Sequence, residues 1–211
     1  VGGGCCNCVN GGYSTISGGG CNILQGGSFS TISGGYNNSS SACYTSTIGG
    51  GCLNCICIDG CFSTIGGGCC NSNVGYFSFI GSGSKNKTTN AFGVVVGGDN
   101  NCASYFGFIG GGANNKTTGQ QSVVVGGYTN ISSGIQETIS GGYCNTTSSY
   151  RGATIGGGLF NTASGYCVAT VSGGRCNTAS GSQSTISGGI FNTASGLVST
   201  INGGNANTTS T

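Results

Sequence analysis

Cysteine is the residue type here with the chemistry to bind a soft metal or to crosslink, and it is crowded toward one end. Eleven of the 15 cysteines fall in the first 70 residues: Cys5, Cys6, Cys8, Cys21, Cys43, Cys52, Cys55, Cys57, Cys61, Cys69 and Cys70. The run Cys52-Leu-Asn-Cys55-Ile-Cys57-Ile-Asp-Gly-Cys61 has ligand-like spacing, but a zinc site normally brings a second knuckle or a histidine, and the chain has no histidine. No metal and no cofactor is expected. Several cysteines instead recur at matching offsets, Cys6 with Cys21 and Cys52 with Cys69. In stacked strands such pairs have Cα atoms about 5 Å apart, within disulfide reach. Two readings stay open: staples between coils, with the odd total leaving a thiol unpaired or paired between chains, or small thiols filling narrow core positions, at the offset where Phe160 and Phe191 also stand.

Acid–base chemistry has little to work with. The only acids, Asp59, Asp99 and Glu137, are far apart in the chain, which argues against paired carboxylates and against an enzyme. Five basic residues cannot build a nucleic-acid stripe, and Lys85, Lys87 and Lys116 read as solvated turn residues. Gly-rich segments lack the Gly-Lys-Ser or Gly-Lys-Thr ending of a phosphate loop. No apolar run approaches the roughly 18 residues of a membrane-spanning helix. The chain also has no Met, which leads us to expect a processed or partial segment.

What positions these residues is a repeat. Asn7, Asn22, Asn38, Asn54, Asn71, Asn86, Asn101, Asn115, Asn130, Asn145, Asn161, Asn177, Asn192 and Asn207 each follow an Ile or Val by six residues. Those anchors run from Val1 and Ile16 to Ile186 and Ile201 in a 15–16-residue repeat. The register makes residues 1–211 a single repeat domain. A clear copy reads Ser184-Thr-Ile-Ser-Gly-Gly-Ile-Phe-Asn-Thr-Ala-Ser-Gly196. Strand alternation turns Ile186 inward with Thr185 and Ser187 outward, then, past the Gly pair, Asn192 and Ala194 inward with Thr193 and Ser195 outward. The prediction is an all-β fold, a parallel β-solenoid of about 14 coils with a thin core of Ile against Ala. The second Gly of each pair is invariant along the chain and the first is replaced once, by Ser82, so this corner requires glycine. For the Asn column a coil-to-coil hydrogen-bonded ladder is favoured over a purely conformational role, because a turn alone would accept Gly or Asp in some copies.

Three segments differ in character: 1–76 is dense in cysteine, 77–125 carries an apolar stripe, and 126–211 is regular. In the middle, Phe79, Val94, Phe108 and Val123 replace the Thr that precedes the anchor, with Phe62, Phe77, Phe92 and Phe106 expected on the same face. A stripe of this kind marks an interface with identical chains or with another partner. Sequons begin at Asn37 and at the ladder positions Asn38, Asn86, Asn115, Asn130, Asn145 and Asn207; an amide engaged in an internal ladder cannot carry a glycan, so they are read as by-products of the repeat.

The unit at 184–196 and Ala169-Thr-Val-Ser-Gly-Gly-Arg-Cys-Asn-Thr-Ala-Ser-Gly181 resemble the head repeats of trimeric autotransporter adhesins and related repeats of phage and large-virus fibres. The resemblance spans essentially the whole chain in degenerate form. It implies a left-handed β-roll, homotrimeric, in a shaft or head that projects from a cell or virion surface to attach to a receptor or glycan. The heavy cysteine use departs from bacterial heads and fits a virion or extracellular filament better. A self-assembling, disulfide-crosslinked extracellular filament or sheath is the alternative expectation, and ice binding by the flat Thr column is a third, weakened where Phe and Val interrupt that column.

Overall fold

A computed structural model describes residues 1–210. The chain is a parallel β-solenoid of about 13 turns, all-β, with no helix among the described residues. Contacts divide it into two compact units, Val1–Phe106 and Gly107–Thr211.

Every strand is two residues long, and strands alternate between two parallel sheets. In the first unit, one sheet stacks the anchor strands Thr15–Ile16, Thr31–Ile32, Thr47–Ile48, Thr64–Ile65, Phe79–Ile80 and Val94–Val95; the other stacks strands from Cys8–Val9 and Ile23–Leu24 to Lys87–Thr88 and Cys102–Ala103. The second unit repeats the plan, with anchor strands from Phe108–Ile109 to Thr200–Ile201 and opposing strands from Lys116–Thr117 to Thr208–Thr209. Pairing is in register, like residue on like: Thr170 on Thr185, Ile186 on Ile201, Ala179 on Ala194.

The backbone ladder runs past the short strands into the corners. Most N–H groups donate forward to the next coil, as Thr185 N to Ser199 O (2.8 Å), Ser187 N to Ile201 O (3.0 Å) and Ile190 N to Gly204 O (2.9 Å). At two corners of the coil a residue enters the left-handed region, and there the N–H donates backward instead. Phe191 (φ 56) donates to Arg175 O at 3.0 Å and Val198 (φ 57) to Ser182 O at 2.9 Å. A left-handed residue reverses the facing of its peptide, so each coil is bonded in both directions. These corners hold non-glycine residues at a cost of roughly 1–2 kcal/mol apiece, set against the bonds gained.

The second Gly of each pair is a stricter case. Gly174 (φ 92) is typical, because a Cβ there would strike Gly189 O on the next coil and sit 2.6 Å from the Asn177 amide. Close approach of the backbones thus demands Gly, as the sequence predicts.

The core holds the anchor column, fully buried from Ile16 to Ile186, facing a more varied column than the expected Ala. Ala103, Ala163, Ala179 and Ala194 stand there, but so do Leu24, Ile56, Ser40, Asn73, Thr88, Thr117, Ser132 and Thr147. A third inward column precedes the anchor by two residues and is mostly serine: Ser30, Ser46, Ser63, Ser78, Ser122, Ser184 and Ser199. Its hydroxyls close the preceding corner, Ser122 Oγ donating to Gly119 O (2.8 Å) and Ser184 Oγ to Gly181 O (2.7 Å).

Candidate functional site

The Asn column is buried from Asn22 to Asn192, with Asn7 half-buried and Asn207 exposed at its ends, and within each unit it forms the expected ladder. Within each unit the backbone N–H of one Asn donates to Oδ1 of the Asn before it, as Asn38 to Asn22 (3.0 Å) and Asn177 to Asn161 (3.0 Å). The amide nitrogen donates twice, to a glycine carbonyl of its own coil and to one of the next, as Asn192 Nδ2 to Gly188 O (3.0 Å) and Gly204 O (3.0 Å). One acceptor and two donors are all used, so Asp lacks the donors and Gly lacks everything. The ladder residues do not enter the left-handed region; their predecessors do, among them Cys6, Cys21, Asn37, Leu53, Cys70, Lys85, Cys176 and Phe191. Of the sequons, Asn38, Asn86, Asn115, Asn130 and Asn145 are buried, whereas Asn37 and Asn207 are exposed.

That neighbouring column overturns the reading in which small thiols at the offset of Phe160 and Phe191 fill narrow core positions. It is an outer corner, where Cys6 and Cys70 are exposed and Phe160 and Phe191 are half out in solvent.

Cysteine chemistry is concentrated in the first unit. A disulfide joins Cys43 to Cys61 across two coils, with Cα atoms 5.6 Å apart. Sequence reasoning missed it. The matched pair Cys52 and Cys69 are bridge partners whose thiols lie 3.0 Å apart. Cys69 also meets Cys70 at 3.3 Å, and Cys55 meets Cys57 at 3.7 Å. The other matched pair is not brought together as expected: Cys6 Sγ lies 3.0 Å from Cys5, and Cys21 is a separate half-buried free thiol. The knuckle-like run does not gather its sulfurs, since Cys61 is bonded to Cys43 and Cys52 turns to Cys69. Among the described residues no group of three or more His, Cys, Asp or Glu side chains is arranged to hold a metal ion.

Comparison with known protein families and with curated proteins gives no match.

Of the acids, Asp59 and Asp99 are exposed and Glu137 is fully buried. Glu137 stands in the inward serine column. Its Oε2 accepts from Ser132 Oγ (3.2 Å) and from the N–H groups of Ser133 (3.0 Å) and Gly134 (2.7 Å), and its Oε1 accepts from Ser149 N (2.5 Å). This carboxylate closes a corner as the serines do, with a longer reach. Lys85 is exposed at a left-handed corner, but Lys87 and Lys116 are not the turn residues expected: they stand in the strands Lys87–Thr88 and Lys116–Thr117, exposed on the outer face.

The outward apolar residues form two kinds of row. Phe79 and Val94 pair on the anchor sheet of the first unit, and Phe108 and Val123 on that of the second. Phe62, Phe77, Phe92 and Phe106 are not strand residues sharing that face. All four occupy the left-handed corner, with φ from 51 to 59°, three residues before the anchor. Their rings stack along the solenoid at centroid distances of 5.0, 5.6 and 4.6 Å with interplanar angles of 16° or less. Tyr76 and Tyr105 pack edge-on against Phe77 and Phe106. Faces are consumed by stacking, so the ladder presents ring edges to solvent, with Phe77 47% and Phe106 40% exposed.

Proposed function

We propose that the chain is a non-enzymatic structural segment, a shaft or head of adhesin or tail-fibre type, that projects from a cell or virion surface and serves attachment. It does so as an assembly of identical copies, most simply a homotrimer. The observation that carries this reading is the Phe62–Phe77–Phe92–Phe106 ladder. Four aromatic residues occupy left-handed corners, where each costs free energy, and keep about two-fifths of their surface in water. Stacking offsets the cost, at roughly 0.5–1.5 kcal/mol per pair. The exposed edges gain only when something apolar covers them. An in-register ridge along the solenoid fits the equivalent ridge of a second copy, which has the same spacing by construction. The repeats' resemblance to adhesin and fibre heads points the same way.

Mass measurement in solution, with and without reductant, tests this. A discrete trimer that survives reduction, and that dissociates when Phe77 and Phe92 are both replaced by Ser, is expected. A stable monomer refutes it.

The exposed thiols Cys5, Cys6, Cys8 and Cys70 favour a second reading, an extracellular filament or sheath crosslinked between chains. Open-ended species that collapse on reduction would select it over the discrete trimer.

A further inference from the structure

Cys52, Cys69 and Cys70 are set up differently from the remaining free cysteines. Cys52 and Cys69 hold the same place in consecutive coils, and the backbone fixes them: Cys52 N donates to Gly68 O (2.9 Å) and Cys70 N donates back to Cys52 O (2.9 Å). Their sulfurs are 3.0 Å apart with the thiols half-buried. Cys70, at the left-handed corner with φ 58, is exposed and places its sulfur 3.3 Å from Cys69. Three sulfurs therefore run from solvent to a shielded pair, with Cys69 in contact with both others. Cys43–Cys61 shows that this solenoid accommodates a bridge between consecutive coils.

We propose that Cys52, Cys69 and Cys70 form a thiol–disulfide exchange site that takes its oxidising equivalent from a low-molecular-weight disulfide, of the glutathione disulfide class, and stores it as a Cys52–Cys69 bridge. The Cys70 thiolate attacks one sulfur of the small disulfide, forming a mixed disulfide and releasing one small thiolate. Cys69 thiolate attacks Cys70 Sγ, forming a Cys69–Cys70 bond and releasing the second. Cys52 thiolate then attacks Cys69 Sγ, the Cys52–Cys69 bond forms and Cys70 leaves as thiolate. The small disulfide is reduced to two thiols, Cys52 and Cys69 are oxidised, and Cys70 is regenerated. The first attack is set by opposing neighbours: the hydrogen bond from Cys69 raises the Cys70 thiol, followed by desolvation and the charge of Cys69, while the Lys85 ammonium favours the thiolate.

The bridge closes a segment of sequence separation 17, next to the Cys43–Cys61 closure of separation 18. The two bridges link three consecutive coils, those of anchors Ile32, Ile48 and Ile65. The proposal is independent of the attachment reading, since it concerns bonds within one chain.

The test places the full chain in a buffer of glutathione and glutathione disulfide, with acid quenching, alkylation and fragmentation mapping by mass spectrometry. The expected product is a Cys52–Cys69 cross-link that has lost two hydrogens, with Cys70 alkylated at equilibrium and glutathione found on it transiently. Cys69→Ser should stall with glutathione on Cys70, and Cys52→Ser should stop at a Cys69–Cys70 bond. Cys70→Asn should slow bridge formation by about tenfold or more; Asn already occupies the same corner at Asn37, Asn100 and Asn114, so this variant retains the fold. The proposal is overturned if Cys52 and Cys69 remain alkylated at equilibrium, or if Cys70→Asn forms the bridge at the wild-type rate.

Discussion

Replacing Asn161 by Ala isolates one rung of the ladder. Asn161 is fully buried; its Oδ1 accepts from Asn177 N at 3.0 Å, and its Nδ2 donates to Gly157 O at 3.0 Å and Gly174 O at 2.9 Å. Removal leaves the Asn177 N–H without a partner inside the corner, which costs about 1–3 kcal/mol. Gly157 O and Gly174 O each lose a donor at roughly 0.5–1.5 kcal/mol, the lower figure fitting Gly174, whose carbonyl keeps Leu159 N at 2.9 Å. The vacated side-chain volume adds about 1 kcal/mol more. The expected total is about 3–6 kcal/mol. Coils in a solenoid unfold semi-independently, so a global midpoint would dilute the effect and native-state hydrogen exchange is the sharper assay. The Asn177 amide should exchange more than about 100-fold faster in Asn161→Ala. Asn161→Asp separates the two halves of the rung. It retains an acceptor for Asn177 but sets carboxylate oxygen against two carbonyls, so its folded-state pKa is raised above the unfolded value. Protonation returns one donor. Stability should therefore recover as pH falls toward about 4 and be lost as pH rises. Wild-type protection of the Asn177 amide in Asn161→Ala, or an Asp variant whose stability is flat with pH, would refute the reasoning.

The other expectations are simpler. Gly174→Ala should destabilise by more than about 2 kcal/mol in urea melts, since its Cβ meets a carbonyl of the next coil and the Asn177 amide at once; a change within 0.5 kcal/mol, roughly the scatter of surface substitutions, would contradict the close-approach argument. Glu137→Gln keeps the shape but sets an amide N–H against either Ser149 N–H or the Ser133 and Gly134 N–H pair, for an expected loss of about 1–3 kcal/mol; a neutral result would mean the carboxyl is not the acceptor there. The Cys57 thiol is held above its ordinary range by burial first, then by the charge and hydrogen bond of Cys55, with Ser72 and Lys87 opposing. Its alkylation midpoint should lie above that of a free thiol, and Cys55→Ala should bring it down. An unmoved midpoint would count against that coupling.

The parts of the fold that the sequence announces are those where one residue type is the only solution. Asn at the ladder and Gly at the second corner position recur because every hydrogen bond and every contact there repeats from coil to coil. The left-handed corners were not legible for the opposite reason. The backbone there is set by the backward N–H bond, while the side chain points out and is free to vary, as Tyr13, Phe29, Gln121, Gln136 and Val168 show at one corner. Phe62, Phe77, Phe92 and Phe106 accordingly look, in the sequence alone, like strand residues. Cys43–Cys61 escaped because the two coils differ in length. Cys43 lies eleven residues after Ile32 and Cys61 thirteen after Ile48, so a search for equal offsets passes over it. Glu137 looked like an isolated acid because a serine column punctuated by one glutamate has no apolar alternation to reveal it.

Within a unit, a ladder in which each interior Asn receives from its successor and gives to its predecessor has no privileged rung. Deleting the 16 residues 161–176 would leave Asn145 Oδ1 facing Asn177 N, and would bring Thr154 over Thr185 and Ile155 over Ile186. The length of such a chain is therefore a quantity that can change by whole coils with no new contact to be invented, whereas gain or loss of a few residues must be absorbed at a corner, as at Ile58-Asp59 within the widest spacing, Ile48 to Ile65. Within a unit the coil stack can thus grow or shrink in steps of one strand spacing, about 4.8 Å, while the side chains a coil presents outward are altered separately.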